Sequence, residues 1–173
     1  MSQYLVISAL GQDKPGIVEQ LSKVILELGG NIIESRMSIL GGEFALMLLI
    51  SGDTATIEDL QQQLTALEQR LSLTIISRVT QEPLAAPLQS AHIHVSAMDH
   101  PGIVHRVTEF FSQQQINIKS LETTTSPAPH TGSPMFSLEA ELQTSRSLKE
   151  MALAEKFGEF CEQLGLDGEL TTL

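Results

Sequence analysis

The segment Asp13-Lys14-Pro15-Gly16-Ile17-Val18 decides how this chain folds, because it returns as Asp99-His100-Pro101-Gly102-Ile103-Val104. At the same spacing, Asn31-Ile32 returns as Asn117-Ile118. One such match arises easily by chance, whereas two matches in one register indicate an internal duplication. The 173 residues are therefore predicted to form two similar small modules.

Each copy of the motif stands between a strand pattern and a helix pattern. Apolar residues alternate before it, at Leu5, Ile7 and Ala9 in the first copy. Proline suits the first turn of a helix, where its missing N–H has no partner to lose. Apolar residues at helical spacing follow the motif in both copies: Ile17, Val18, Leu21, Val24, Ile25 and Leu28, then Ile103, Val104, Val107, Phe110 and Phe111.

The remainder of each copy predicts two strands, a helix and a final strand. In the first copy the two strands cover 31–40 and 44–50, the helix is capped by Thr54, and the final strand covers 73–79. In the second copy they cover 117–125, 135–142, a helix near 148–164, and 167–173. The proline-rich stretch 126–134 is predicted not to pair as a strand and to project from the surface.

This element order predicts an α+β fold made of two ferredoxin-like βαββαβ modules. Each module has a four-stranded antiparallel sheet with both helices on one face. The first module covers 1–80, the second covers 90–173, and 81–89 is the predicted linker.

The open face of the first sheet is predicted to be covered. The third strand of the second copy alternates between apolar residues and the polar set Ser137, Glu139 and Glu141. In the first copy the corresponding outward positions are apolar and comprise Ala45, Met47 and Leu49. Another module, a sister subunit or a partner protein would cover such a face.

Composition excludes several classes of protein. The net charge is −11 and neither half carries a cluster of Lys or Arg, which argues against direct binding to nucleic acid. Aromatic residues make up 4 %, which predicts an aliphatic interior. No apolar run is long enough for a membrane span, and no signal peptide begins the sequence. A single cysteine, Cys161, favours a reducing, cytoplasmic setting.

Two βαββαβ modules with this motif and Asn-Ile at the second strand resemble a tandem pair of ACT domains, over nearly the whole chain. ACT domains are mostly regulatory modules that bind amino acids or other small metabolites. Free-standing pairs with a longer proline-containing hairpin in the second copy resemble the bacterial family of glycine cleavage system repressors. The resemblance implies a non-enzymatic regulator with no cofactor. It also implies a small amino acid, glycine first, as ligand and a DNA-binding transcriptional regulator as partner, with homo-oligomerisation possible.

The candidate ligand site follows from helix chemistry. A helix N-terminus offers free N–H groups and partial positive charge to a carboxylate, glycine permits close approach, and Asp13 or Asp99 could meet an ammonium group. The asparagines could supply a side-chain contact to a ligand in an adjoining module. The candidate residues are Asp13, Pro15, Gly16, Ile17, Val18, Asn31, Ile32, Asp99, Pro101, Gly102, Ile103, Val104, Asn117 and Ile118.

Plainer interpretations stay open at each position. The motif loops could be structural turns, and the asparagines could simply begin strands. The copies also differ at Lys14 against His100, and at Gly29-Gly30 against Gln115-Ile116, so one copy alone could bind ligand.

No catalytic or metal-binding pattern competes with this interpretation. His92 and His94 are expected to be exposed strand residues, Cys161 to pack in the core, and Glu139 and Glu141 to face water. No phosphate loop, dinucleotide fingerprint or nucleophile elbow occurs. The remaining alternatives are a regulatory subunit or detached regulatory part of a metabolic enzyme, and an oligomerisation module without ligand.

Overall fold

The computed structural model describes residues 3–81, 89–129, 131–148 and 152–172. The chain divides into two units, Met1–Leu84 and Ala85–Leu173, called here the first and second unit. The predicted linker residues 82–88 lie outside the described residues, and Gln89 already begins a strand.

The first unit contains a four-stranded antiparallel sheet in the order β2-β3-β1-β4. Its elements are β1 Gln3–Gln12, α1 Ile17–Glu27, β2 Asn31–Leu40, β3 Glu43–Gly52, α2 Thr54–Leu71 and β4 Leu73–Thr80.

The second unit repeats this topology, with sheet order β6-β7-β5-β8. Its elements are β5 Gln89–Met98, α3 Ile103–Gln113, β6 Asn117–Pro127, β7 Pro134–Thr144, α4 Leu153–Leu164 and β8 Asp167–Thr172. The predicted α+β, ferredoxin-like class is confirmed in both units. None of the helices in the described residues is long and apolar enough to cross a membrane.

Each unit has its own hydrophobic core between its sheet and its helices. In the first unit the core is aliphatic apart from Phe44. It includes an apolar stripe along α2, called here the α2 stripe, which comprises Ile57, Leu60, Leu64, Leu67 and Leu71. In the second unit Phe111 and Phe157 are fully buried with ring centroids 5.3 Å apart, and Phe110 and Phe160 pack beside them. The predicted aliphatic interior is therefore wrong for the second unit, because the low overall aromatic content hides the concentration of phenylalanine in one half.

The predicted Thr54 cap is wrong by one residue. Asp53 is the N-cap of α2, and its Oδ1 accepts a hydrogen bond of 2.8 Å from the backbone N–H of Thr56. A carboxylate is a stronger acceptor than a hydroxyl, and it also suits the positive end of the helix dipole.

The proline-rich hairpin is shorter than the sequence predicts. β6 and β7 continue to the pair Pro127 and Pro134, so only 128–133 form the connection. Because β6 is an edge strand, a proline at its end removes no essential ladder bond. The connection is closed by an N–H of Ala128 donating to the carbonyl of Ser133 at 2.8 Å.

The last helix begins later than predicted. Leu148 is buried but lies in a turn, where its N–H donates to the side-chain oxygen of Gln89 at 2.9 Å. The helix starts at Leu153, after Ala152 in a left-handed conformation. This contact spans 59 residues of sequence, so no local pattern reveals it.

Candidate ligand-binding loops and grooves

Both motif loops end in a glycine that forces the chain into a left-handed conformation before a helix. Gly16 has φ 92° and is the N-cap of α1, and Gly102 has φ 99° and is the N-cap of α3. Neither cap makes a side-chain hydrogen bond to its helix. The first-turn N–H groups, which serine or aspartate usually caps, are thus left for another acceptor such as a ligand carboxylate.

The Asp residue of each loop is held against the neighbouring hairpin. The N–H of Asp13 donates to the carbonyl of Gly42 at 3.2 Å, and the N–H of Asp99 donates to that of Pro134 at 2.9 Å. Both Asp residues are exposed, so their carboxylates are open to an incoming cationic group. The aspartate positions are thereby fixed at the same end of each unit.

The apolar residues of the motif divide between core and surface. Ile17 and Ile103 are almost fully buried, so they can offer a ligand only their backbone N–H groups. Val18 and Val104 are 45 % and 38 % exposed, and they stand beside the uncapped helix ends. In each loop the isoleucine side chain therefore belongs to the core, and the valine side chain is open to solvent.

Each unit also has a groove that is lined by the repeated Asn-Ile pair. Asn117 and Ile118 line an open groove of about 800 Å³ with α3, and Asn31 and Ile32 line one of about 520 Å³ with α1. These grooves occupy equivalent positions in the two units. Their common helix residues are Ser22 and Thr108, whose hydroxyls donate to the helix carbonyls of Glu19 and Val104.

Sequence reasoning missed Ser22 and Thr108, although the repeat contains the signal. Both hydroxyl residues stand at the same position of the duplicated helix, 86 residues apart like Asn31 and Asn117. A hydroxyl side chain at the same helix position in both copies, Ser in one and Thr in the other, is thus visible in the repeat.

Within one unit, the motif loop and the asparagine lie at opposite ends of the sheet. Gln12 pairs with Glu43 at the loop end, whereas Tyr4 and Asn31 both pair with Ser51 at the other end. Eight strand positions at about 3.3 Å each separate the two levels by about 26 Å. A single five-atom ligand cannot touch both within one unit, so the loop and the asparagine of one unit do not form one site.

The two copies are chemically unequal at both places. Lys14 in the first loop corresponds to His100, whose Nδ1 lies 3.1 Å from the carbonyl oxygen of Pro101. At the groove, Gly30 corresponds to the buried Ile116. A Cβ at Gly30 would lie 3.0 Å from the Cγ2 atom of Ile25, so the first unit has no room for that side chain.

The remaining polar candidates carry no reactive arrangement. His94 Nδ1 lies 3.7 Å from Glu139 Oε1 on the outer face of the second sheet, and Lys119 donates to Glu141 at 2.8 Å. Among the described residues, no group of three or more His, Cys, Asp or Glu could hold a metal ion. Cys161 is buried, and burial, with a smaller contribution from the charge of Asp167, raises the pKa of its thiol to about 11. The thiol is therefore protonated and unreactive at neutral pH.

Comparison with family models matches two segments of the chain. The ACT domain description applies to residues 3–77 and again to residues 92–151. Each segment carries one copy of the motif and one Asn-Ile pair.

Full-length relatives are found among curated proteins and solved structures. The Escherichia coli glycine cleavage system transcriptional repressor is 29 % identical over 171 residues, which cover 98 % of this chain and 90 % of that protein. A crystal structure of a candidate glycine cleavage system transcriptional repressor is 29 % identical, with a TM-score of 0.75 and coverage of 100 % and 98 %. An unknown protein from Galdieria sulphuraria is 28 % identical, with a TM-score of 0.81 and coverage of 100 % and 99 %.

Proposed function

Since this chain belongs to the ACT domain family and carries two such domains, we propose that it is a non-enzymatic regulator that senses glycine. It controls transcription indirectly, by binding a separate DNA-binding regulator rather than DNA. The amino-acid-sensing, regulatory part of this proposal has the support of the two ACT domains and of the full-length likeness to a transcriptional repressor.

One observation carries the choice of ligand chemistry. The chain presents the same feature twice: a left-handed glycine, no side-chain cap and an exposed aspartate at a helix N-terminus. Backbone N–H groups with partial positive charge bind a carboxylate, and the aspartate binds an ammonium group. An α-amino acid carries both groups on adjacent atoms.

A small ligand limits the affinity. Glycine has about five non-hydrogen atoms, so a ceiling of about −1.5 kcal/mol per atom gives at most roughly −7.5 kcal/mol. This corresponds to a dissociation constant no tighter than a few micromolar. Dissociation constants from about tens of micromolar to millimolar suit a sensor of a small metabolite.

The test is calorimetric titration of the full chain with glycine, using asparagine substitutions at the motif glycines. Gly16 and Gly102 have positive φ, so a branched residue such as valine would strain the backbone, whereas asparagine tolerates this conformation. No atom lies within 4 Å of a Cβ built at Gly102, so the new side chain fits and occupies the space above the helix end. We expect Gly16→Asn or Gly102→Asn to weaken glycine binding at least about tenfold, the loss of one good hydrogen-bonded contact.

Gly165→Asn is the matched control. Gly165 is also left-handed, with no atom within 4 Å of a Cβ, but it ends α4 instead of beginning a helix. Glycine affinity should be unchanged in this variant. If both motif variants and their double combination bind glycine like the parent, the loops are structural turns and the proposed site is wrong.

The partner is tested separately. A pull-down from cell extract with the parent chain, with and without glycine, should recover a DNA-binding protein whose amount depends on glycine. Glycine control of the interaction would be refuted if the parent recovers the same amount of this protein with and without glycine, as the Gly16→Asn, Gly102→Asn double variant is expected to do.

A further inference from the structure

The outer faces of the two sheets, which point away from the helices, differ at every equivalent position. We call the outer face of the first sheet the apolar face. Its residues are Val6, Leu10, Ala45, Met47, Leu49 and Ile76. Matching strand registers place His92, Ser96, Ser137, Glu139, Glu141 and Glu169 at these positions in the second unit.

Large side chains on the apolar face are open to solvent. Leu10, Met47 and Ile76 are 54 %, 52 % and 67 % exposed. Because the second unit folds with polar residues at the same positions, the fold itself does not require apolar ones. Ser8, which pairs with both Met47 and Ile76, is a polar residue within this face. An exposed patch that is mainly apolar marks an interaction surface.

The strand pairing arranges charges at the two edges of this face in a self-complementary way. One row across the four strands consists, in order, of Glu34, Leu49, Val6 and Arg78. A two-fold axis parallel to the strands reverses the row of a second copy. Glu34 then lies opposite Arg78 of the second copy, Arg78 opposite Glu34, and Leu49 opposite Val6.

The adjoining rows fit the same axis. The next row consists, in the same strand order, of Arg36, Met47, Ser8 and Ile76. Arg36 also forms an ion pair of 2.9 Å with Glu34 of its own chain. After reversal, the stem of Arg36 lies against Ile76 of the second copy. In the third row, Leu10 lies opposite Ala45 of the second copy. The second and third rows therefore place no like charges opposite each other.

We propose that the chain forms a symmetric homodimer in which two copies pack the apolar faces of their first units together. Aligned packing of two sheets, about 10 Å apart, is a common arrangement of β-proteins. Four strands and eight positions cover about 19 Å by 26 Å, so two faces bury about 1,000 Å² in total, which is the lower bound for a specific interface.

The second sheet is a poor occupant of the apolar face. Its outer face would place the carboxylates of Glu139 and Glu169 against leucine and methionine side chains. Glu139 Oε1 lies 3.7 Å from His94 Nδ1, but both groups are exposed, and moving carboxylates from water onto an apolar surface costs more free energy than the apolar contact gains. A second copy of the first sheet satisfies both the apolar centre and the charged edges.

The test is sedimentation equilibrium of the full chain between about 1 and 200 µM, which spans ordinary dimer affinities. The parent should show a concentration-dependent dimer. Met47→Glu should raise the dimer dissociation constant at least about thirtyfold, since it buries a charge at the centre of the interface. Met47 is half exposed, so the variant should keep the parent's circular dichroism spectrum.

Charge reversal tests the symmetry axis. Glu34→Arg and Arg78→Glu should each weaken the dimer several-fold. The double variant should restore it in part, because it exchanges the two ends of the same row while Arg36 loses its ion pair with Glu34. Ser137→Glu, on the second sheet, is the control and should leave the dimer intact. A monomeric parent, a Met47→Glu dimer of parental strength, or a double variant as weak as the singles would overturn the proposal. If the parent is monomeric and Met47→Glu loses a partner protein that the parent binds, the apolar face belongs to that partner and the homodimer is refuted.

Discussion

At the scale of single residues, Gly168 is needed in the second core because it has no side chain, not because its backbone is flexible. A Cβ built at this position in β8 would collide with Sγ of Cys161 and lie 3.3 Å from Cε1 of Phe157. Both neighbours are buried core residues that have little room to move. Alanine at this position therefore overpacks the second core, although alanine normally favours a strand more than glycine does.

We expect Gly168→Ala to lower the free energy of unfolding by about 1–3 kcal/mol. The matched control is Gly158→Ala in α4, where nothing lies within 4 Å of the new Cβ. Helix propensity predicts that this second change raises the free energy of unfolding by roughly 0.5–1 kcal/mol. Urea unfolding of both variants measures the difference, and equal signs for the two changes would contradict the packing argument.

Single residues also set the limit of what the sequence predicts about the site. The Pro-Gly pair before each helix predicts a special backbone conformation, and Gly16 and Gly102 both have it. Burial of the Ile17 and Ile103 side chains follows from their place in the helix pattern. The separation of the loop from Asn31 by the length of the sheet follows only from strand register, which motif spacing does not contain.

At the scale of elements, α2 depends on its cap. The backbone hydrogen bond from Thr56 lowers the pKa of Asp53 below its ordinary value of 3.8, because the charged carboxylate is the better acceptor. The hydroxyl of Thr56 also donates to the carbonyl of Leu28 at 3.2 Å, which ties the start of α2 to the end of α1.

The cap makes a pH-dependent contribution to stability. A lowered pKa in the folded state stabilises the fold above the unfolded value near 3.8, and this contribution is lost as the pH falls through the lower folded value. Asp53→Ala should thus lower the Tm by a few degrees at pH 7, and the gap to the parent should narrow below pH 3.8. Asp53→Asn keeps an acceptor without the charge, so its gap to Asp53→Ala should be independent of pH. Thermal melts from pH 3 to 7 decide the matter, and a constant gap between parent and Asp53→Ala would refute it.

The elements that the sequence predicts well are those built on local periodicity. β1 to β4, α1 and the α2 stripe follow apolar spacing and Gly-Gly breaks, and the duplicated motif supports the same assignment in the second unit. Two of the wrong element boundaries occur where distant contacts decide the structure. The side chain of Gln89 accepts a hydrogen bond from the N–H of Leu148, which lies in a turn before α4. Pairing with β7 continues β6 as far as Pro127.

At the scale of the whole molecule, duplication has kept the fold and changed the surfaces. The helix N-termini are nearly the same in both units, whereas the outer sheet faces have become apolar in one and acidic in the other. The conserved feature suits a ligand common to both domains. The diverged feature suits separate roles in assembly, since an apolar face favours self-association and an acidic face keeps the second sheet solvated.

The distribution of charge over the molecule leads to the last prediction, that the pure protein does not bind DNA. Residues 1–85 carry ten acidic and five basic side chains, and residues 86–173 carry eleven and five. Both halves therefore repel phosphate, and repulsion between like charges is strongest at low salt. A gel shift at about 20 mM salt, with and without glycine, should show no retarded band, because a DNA binder loses affinity steeply as salt rises and would be seen best there. The DNA-binding regulator recovered with the chain serves as the positive control, and its complex should be altered when the chain is added. Sequence-specific retardation by the pure protein would show that a basic surface forms despite the composition, and it would replace indirect control with direct binding to an operator.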